Sequence, residues 1–366
     1  MALRCRRSIS PEDWRRVEQH AWTWGSAPES YDIAISDGSF LSSACGSVMV
    51  SVLPHRRYWH VPGGLLGPTE LIRDAVAWLK RVAERRRVTL ILYSVREQDV
   101  PAFVDAGFEV TKFGEEPVLD LGDITWRGKP FEWVRRQSNF CRRAGLEVVE
   151  IADQSEQHRL ADDLLEILRE DLAWRTYSRP LRLLEGEFDA RALFRRRLFV
   201  ARSIRTGRTE AFLACSPMQA GQSWGFESYR RRSGAPRGVM PFLFRETIDR
   251  LQAEGVRQVS LCLVPGRNIP QHSSPTARRL VQWTLSTWYK RLEFLFNARG
   301  QDYFKSRFRP RFQNRYICVT PTTTLRSMTS FLQVSGAVRP DLRNLARNLW
   351  KHSTAPSTVP RIKVSA

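Results

Sequence analysis

Lysine is scarce in this chain, and its cysteines are unpaired. Of the 58 basic residues among 366, only seven are Lys. The six cysteines (Cys5, Cys45, Cys141, Cys215, Cys262 and Cys318) stand singly. No two of them have Cys-x-x-Cys spacing, which argues against zinc and redox motifs. They read as thiols of a reducing, cytoplasmic compartment, with Cys215 and Cys262 as small buried hydrophobes. No run approaches the roughly 18 apolar residues a membrane span needs. The most apolar late segment, Leu280 to Phe296, is interrupted by Gln282, Lys290, Arg291 and Glu293. The basic N-terminus MALRCRRS has no apolar stretch behind it, so no secretory signal is expected. Common catalytic signatures are also missing: GxSxG, the P-loop, HExxH and the dinucleotide-binding glycines. The six His are dispersed, and His55 with His60 is a weak basis for a metal site. Neither a metal nor a cofactor is expected.

What the chain does have is apolar mass and positive charge. Hydrophobic residues make up 42%, with 12 Trp and 19 Phe, enough for real cores. The length fits two domains or three. The formal net charge is +20. Codon bias in a GC-rich genome accounts for Arg over Lys, but not for the excess of positive charge. A polyanionic partner, nucleic acid or an anionic membrane surface, makes such an excess tolerable.

The periodicities describe an α/β (α+β) chain. Short β-like runs (YDIAIS, GSVMVSVL, YWHV) fill residues 31–61. A helix follows from Thr69, its expected cap, to Arg86, with Leu71, Ile72, Ala75, Val76, Leu79, Val82 and Ala83 at helical spacing. VTLILYSV reads as a buried strand, 97–106 as a short helix ended by Gly107, and FEVTKF and PVLDL as two strands. The second half has LEVVEI (146–151), a helix over 155–173, a meander over 198–203, 210–217 and 223–229, and a helix from Met240 to Glu254. VRQVSLCLV is then a buried strand, 277–292 a helix and RYICVT a last strand. Both halves thus run from a meander through helix, inner strand and helix to a last strand. Two α/β units of one type in tandem are expected: 1–126 and 146–320, joined by 127–145 and followed by a basic tail, 321–366.

The joining segment, RGKPFEWVRRQSNFCRRAG, has Pro130 suited to a first helical turn, with Phe131, Val134, Phe140 and Ala144 as inward candidates. Lys129, Arg135, Arg136, Arg142 and Arg143 make it either a solvated linker helix or an anion-binding one. In the tail, TPTTT and STAPSTVP are linker-like. Between them, VRPDLRNLARNLWKH carries Leu342, Leu345, Leu349 and Trp350 near one face, with Arg339, Arg343, Arg347 and Lys351 elsewhere. It is either a helix packed on the body or a membrane-interfacial one.

The densest signal is WGFESYRRRSGAPRGVMPFLFRETIDRLQAEGVRQVSLCLVP, read as strand, basic loop, helix, strand. That is the order around the acyl-carrier site of acetyltransferase-like (GNAT) folds, where glycines let helix N-terminal amides cradle a pyrophosphate. Arg237 and Gly238 are present, but Met240 and Phe242 stand where small residues are wanted. A coenzyme A pyrophosphate would meet bulky side chains, which points to another acyl donor.

Four stretches together resemble the C-terminal catalytic region of lysyl- and alanyl-phosphatidylglycerol synthases. They are AFVDAGFEVTKFGEEPVLDL (102–121), GKPFEWVRRQSNFCRRAGLEVVEI (128–151), ESYRRRSGAPRGVMPFLF (227–244) and FNARGQDYFKSRFRPRFQNRYI (296–317). The resemblance covers roughly residues 30–320 and implies two tandem GNAT-like acyltransferase domains joined by a basic helix. It implies an aminoacyltransferase moving an amino acid from aminoacyl-tRNA to a hydroxyl of phosphatidylglycerol or a related anionic lipid. The expected partners are aminoacyl-tRNA and an anionic phospholipid surface, at the cytoplasmic face of the plasma membrane. The donor ester is already activated, so positioning and charge stabilisation suffice, in keeping with the missing nucleophile motifs. The multi-span flippase region of full-length enzymes has no counterpart here, so the chain is expected to make the lipid without flipping it.

By the same resemblance, the family's acidic residue with Arg three positions on falls on Glu227 and Arg230, where Asp is usual in place of Glu. Glu227 is expected to hold the aminoacyl ammonium or shape its pocket, or else to form a strand-end salt bridge. Arg230 is expected at the tRNA terminal phosphate or the carbonyl oxygen. Lys305 and Arg307 match a basic pair for phosphate, or form a solvated basic face. Glu293 corresponds to an upstream family Glu at altered spacing, and Arg237 joins the substrate-binding set. Pro241 stands where the family has Asp, and Cys262-Leu263-Val264-Pro265 where Gly-Met-Ala-Pro is common, which leaves the amino acid and the acceptor open. The remaining alternatives are an acyl-coenzyme A-dependent N-acyltransferase of the same fold and a non-catalytic tRNA- or membrane-binding protein.

Overall fold

Two half-chains with the same element order share a single sheet. The computed structural model describes residues 3–5, 9–35, 39–186, 188–189 and 195–354. The tail and the STAPSTVP segment lie outside the described residues from position 355 on. The first half comprises β1 (Arg4–Cys5), α1 (Pro11–Trp24), α2 (Asp32–Ile35), β2 (Ser39–Ser42), β3 (Met49–His55), β4 (Tyr58–Val61), α3 (Ile72–Arg86), β5 (Thr89–Arg96), α4 (Val100–Asp105) and β6 (Glu109–Asp120). After α5 (Glu132–Arg143) come β7 (Leu146–Glu150), α6 (Gln154–Leu172), β8 (Arg197–Ser203), β9 (Thr209–Met218), β10 (Ser223–Arg231), α7 (Val239–Ala253), β11 (Gln258–Ser260), β12 (Val264–Pro265), α8 (Arg279–Arg291), α9 (Ala298–Ser306) and β13 (Arg311–Thr320). Helices α10 (Leu325–Ser335) and α11 (Leu342–Thr354) follow. No described helix is long and apolar enough to cross a membrane.

The sheet runs β1-β2-β3-β4-β5-β13-β6-β11-β10-β9-β8-β7, with β12 on β6. In each half a helix carries the chain across to a parallel neighbour: α3 from β4 to β5, and α7 from β10 to β11. The last strands then trade sides. β13 lies between β5 and β6, and β6 lies between β13 and β11. Tyr316 and Cys318 of β13 are buried with Val76, Leu79, Leu90 and Phe103 of the first half. Leu119 of β6, with Leu121 just beyond it, is buried with Phe226, Phe242 and Leu251 of the second. Each core is closed by the other half's strand.

Several expectations differ from what is observed. FEVTKF and PVLDL form one twelve-residue strand, β6, rather than two. The Lys112–Glu116 run reads as a break because it is polar, but its charges are satisfied from neighbouring elements. Lys112 Nζ lies 2.8 Å from Glu115 Oε1, Arg315 of β13 pairs with Glu116, and Arg267 pairs with Glu115. Conversely, VRQVSLCLV is broken into β11 and β12. Cys262 adopts φ 65°, and the carbonyls of Cys262 and Leu263 turn to Lys305 Nζ at 2.9 and 3.3 Å instead of continuing a ladder. The described part of YDIAIS, residues 31–35, is helical, not extended. Pro28 opens a 3-10 turn at Pro28–Tyr31, and Ser30 Oγ accepts from Ala27 N at 3.1 Å while donating to Gly63 O at 2.7 Å. Thr69 opens a 3-10 turn ahead of α3 and caps nothing with its side chain. Thr324 of the expected TPTTT linker caps α10 in a reciprocal box with Ser327. His55 and His60 both reach Ser330 Oγ, at 2.8 and 2.9 Å, and pin α10 to the sheet.

At Gly114 the β12 backbone comes so close that an added Cβ would fall on the carbonyl oxygen of Val264. We expect Gly114→Ala to push β12 off β6 and destabilise the chain by about 2 kcal/mol or more. Chemical denaturation measures this, and an unchanged midpoint would contradict the close approach.

Candidate functional site

The end of β10 and the start of α7 form one wall of the principal cavity. β10 carries a bulge between Phe226 and Ser228, so Glu227 is the extra residue of the ladder. Bulges re-aim side chains in this way. After Arg231 the chain turns through Arg237 and Gly238 (φ 90°) into α7, whose Gly238 N-cap has no side-chain cap. A Cβ at Gly238 would collide with Gln137 of α5, so glycine lets α5 seat against the helix start. On α5 the inward residues are Val134, Ser138 and Cys141, one helical face. The expected Phe140 and Ala144 are exposed, and Phe131 is only partly buried.

The cavity has a volume of about 970 Å³. Trp133 and Gln137 of α5, Trp174–Tyr177 after α6, Tyr229 and Arg231 of β10, Arg237–Pro241, Glu293–Asn297, Phe304 of α9 and Asn348 of α11 line it. Arg175, Arg179, Arg231 and Arg237 face Glu185 and Glu293 as its charged groups. Arg175 bridges Asp171 and Glu185 at 2.6 and 2.7 Å, and Arg230 reaches Glu185 at 3.1 Å. Burial disfavours the Arg175 charge, but those two carboxylates outweigh it and hold its pKa above the ordinary range. Arg179, Arg231 and Arg237 have no ion-pair partner among the described residues. The positive end of the α7 dipole adds to their field. A second cavity of about 340 Å³ shares Gln137 and Arg237 and is otherwise lined by Arg136, Asn139, Phe140 and Arg143. Four cationic side chains, Arg136, Arg143, Arg231 and Arg237, thus lie along two neighbouring concavities that share Gln137 and Arg237.

Of the expected site residues, this arrangement gathers Arg136, Arg143, Arg237 and Glu293. Glu293 lies 3.7 Å from Arg299. Arg307 lies over the rings of Trp133, at 5.1 Å, and Tyr303, at 5.8 Å, beside the cavity wall. Met240 lines the cavity, whereas Phe242 is packed in the core. The others face elsewhere. Arg135 donates to the carbonyls of Trp126 and Gly128, Arg142 pairs with Glu246 at 2.6 Å, and Lys129 lines neither cavity. Lys305 is buried on the backbone carbonyls of Cys262 and Leu263, and burial pulls its pKa down.

Glu227 is buried behind the cavity, 2.5 Å from Arg196, which also holds Asp32 at 3.0 Å. Ser216 donates to the same carboxylate. Gly186 lies so tightly against Glu227 that a Cβ would overlap it. The preceding residue, Glu185, lines both the large cavity and a small one of about 20 Å³ that Glu29, Asp32 and Ser51 also line. Burial, reinforced by Glu116, pushes the Glu29 carboxyl up to about 7. Sequence reasoning missed Glu185, Arg175, Arg179, Arg196 and Glu29. Only Arg231, inside the Arg230–Arg232 triplet, carried a visible signal.

Residues 25–319 match the family described as phosphatidylglycerol lysyltransferase, C-terminal. The chain belongs to this family. A phosphatidylglycerol lysyltransferase of Bacillus subtilis (strain 168) is 22% identical over 300 residues, covering 81% of this chain and 34% of that protein. The chain thus spans about a third of its curated relative. The C-terminal domain of a putative lysylphosphatidylglycerol synthetase from Agrobacterium fabrum superposes with a TM-score of 0.74 at 22% identity, over 90% of this chain and 98% of that one. L-PGS from Bacillus licheniformis gives 0.71 at 19% identity, over 89% and 97%. This chain shares its fold with both of these structures.

The raised Glu29 carboxyl has a signed consequence. Between its ordinary value of 4.5 and about 7, the folded chain keeps a proton that the unfolded chain releases. Stability from this group is complete below that window and falls as pH rises through it. Denaturation midpoints of Glu29→Gln should fall less steeply with pH across this window than those of the wild type. Parallel profiles would contradict the assignment.

Proposed function

We propose that this chain transfers an aminoacyl group from aminoacyl-tRNA to a hydroxyl of phosphatidylglycerol or a related anionic lipid. The observation that carries this reading is the pair of neighbouring cavities with Arg136, Arg143, Arg231 and Arg237 along them. The donor is a polyanion and the acceptor carries a phosphodiester, so both reactants suit such a track. Family membership supports the lipid acceptor, and the net charge of +20 supports the donor. In this reading 1–126 and 146–320 are two GNAT-type units bridged by the basic helix within 127–145, working peripherally at the inner membrane face.

The chemistry exchanges one ester for another. The lipid hydroxyl attacks the ester carbonyl carbon, and negative charge gathers on the carbonyl oxygen. The terminal ribose oxygen of the tRNA leaves and ends with the proton the lipid hydroxyl gave up. One C–O bond forms and one breaks, with no external oxidant or reductant. Arg237, shared by both cavities, holds a donor phosphate, and Arg136 with Arg143 extends that grip. Arg231 and Arg179 take the lipid phosphate. Glu185, gripped by Arg175 and Arg230, receives the aminoacyl ammonium, with Glu293 as the second cavity carboxylate. Glu227 acts one layer behind as a positioning residue through its contact with Gly186.

Transfer of labelled amino acid from an aminoacyl-tRNA mixture into a lipid extract tests the reading. Wild type should label the lipid phase, and Arg231→Ala with Arg237→Ala should lower the rate at least about tenfold. Binding of tRNA without any transfer would sink the enzymatic reading. In a separate binding assay, affinity for tRNA should fall steeply with salt. Arg136→Gln with Arg143→Gln should flatten the slope of log affinity against log salt by about 1.5. An unaltered slope would remove the tRNA track from these residues.

A further inference from the structure

Helix α11 sits on the body the wrong way round for an ordinary surface helix. Its polar side faces inward: Asn344 donates to the carbonyls of Ala173 and Arg175 at 3.0 and 2.8 Å, and Asn348 donates to Thr176 Oγ1 at 3.0 Å. Arg347 donates to the carbonyl of Trp174 at 3.2 Å, and its guanidinium lies 4.8 Å above that indole. The apolar side faces outward, with Leu342 74%, Leu349 43%, Trp350 69% and nearby Trp174 60% exposed. A surface helix normally buries that stripe. The segment lies beyond the residues matched by the family.

We propose that α11 together with Trp174 is a docking face for an anionic bilayer surface. From Leu342 to Ala366 the sequence has no Asp or Glu and carries Arg343, Arg347, Lys351, Arg361 and Lys363. Outward Leu and Trp beside Arg343 suit the headgroup boundary, where apolar side chains enter and cations meet lipid phosphates. A second copy would oppose like charges, and a nucleic acid would leave the leucines without apolar partners. The face adjoins the large cavity, because Trp174 of the face and Asn348 on the inner side of α11 both line that cavity. Docking there brings the cavity mouth to the bilayer, where a lipid headgroup need travel little to reach it. This deepens the transfer reading in its lipid half, but the binding itself needs no transfer.

Co-sedimentation of the full chain with mixed phosphatidylglycerol–phosphatidylcholine vesicles, and with phosphatidylcholine alone, tests it. Wild type should bind the mixed vesicles and bind phosphatidylcholine far more weakly. Leu342→Ser with Leu349→Ser should lose about tenfold or more in vesicle affinity. Arg343→Glu, which leaves the leucines intact, should lose roughly fivefold. Both variants change exposed side chains, so their thermal unfolding should match wild type. Equal vesicle binding by both variants overturns the proposal. So does a fall in solution mass for the leucine variant with vesicle binding unaltered, which assigns the face to a second copy. Loss of tRNA binding alone in Arg343→Glu assigns it to nucleic acid and also overturns the proposal. A chain that docks normally but transfers nothing sinks the catalytic reading and leaves the docking face standing.

Discussion

The exchange of last strands between the halves is the constraint on which the rest of the molecule depends. β13 occupies the gap between β5 and β6, and β6 the gap between β13 and β11. Because Tyr316 and Cys318 complete one core and Leu119 the other, the halves are joined by apolar burial as well as by backbone hydrogen bonds. Burial of this kind supplies the main favourable term in folding. It also fixes the polar geometry at the join. Glu115 and Glu116 are central in β6 because Arg267 and Arg315 reach them from the second half. Unpaired, either carboxylate would be costly to bury.

The same economy of charge explains the cavity. Arg175 and Glu185 in its wall, with Asp171 and Arg230 behind them, form a balanced cluster, and deeper still Arg196 is shared between Glu227 and Asp32. Paired groups of this kind fix side-chain positions. The arginines without a described partner, Arg179, Arg231 and Arg237, stand on the open side, where an anion can be met. The distribution separates a rigid neutral support from a positively charged surface, a division that suits electrostatic preorganisation.

Much of this order was legible in the sequence, because the amphipathic periods of α3, α6 and α7 and the meander β8–β10 follow from local spacing alone. The basic helix and the Arg237–Gly238 turn were also legible, since charge density and glycine are read directly. What failed had non-local causes. β6 looks like two strands until Arg315, far along the chain, is known to neutralise Glu116. β11 and β12 look like one until Lys305 is seen to draw away two carbonyls. For that same reason Lys305 reads as a surface cation and is instead internal. Glu185 lies in a stretch with no periodic signal, and its place at the cavity is held by ion pairs to Arg175 and Arg230.

The pairing of β13 with β5 joins a strand of the first half to one synthesised only after the whole of β6 to β12. During vectorial synthesis β5 therefore waits for its β13 neighbour, and β6 for both β13 and β11. Such unpaired edges invite aberrant strand pairing.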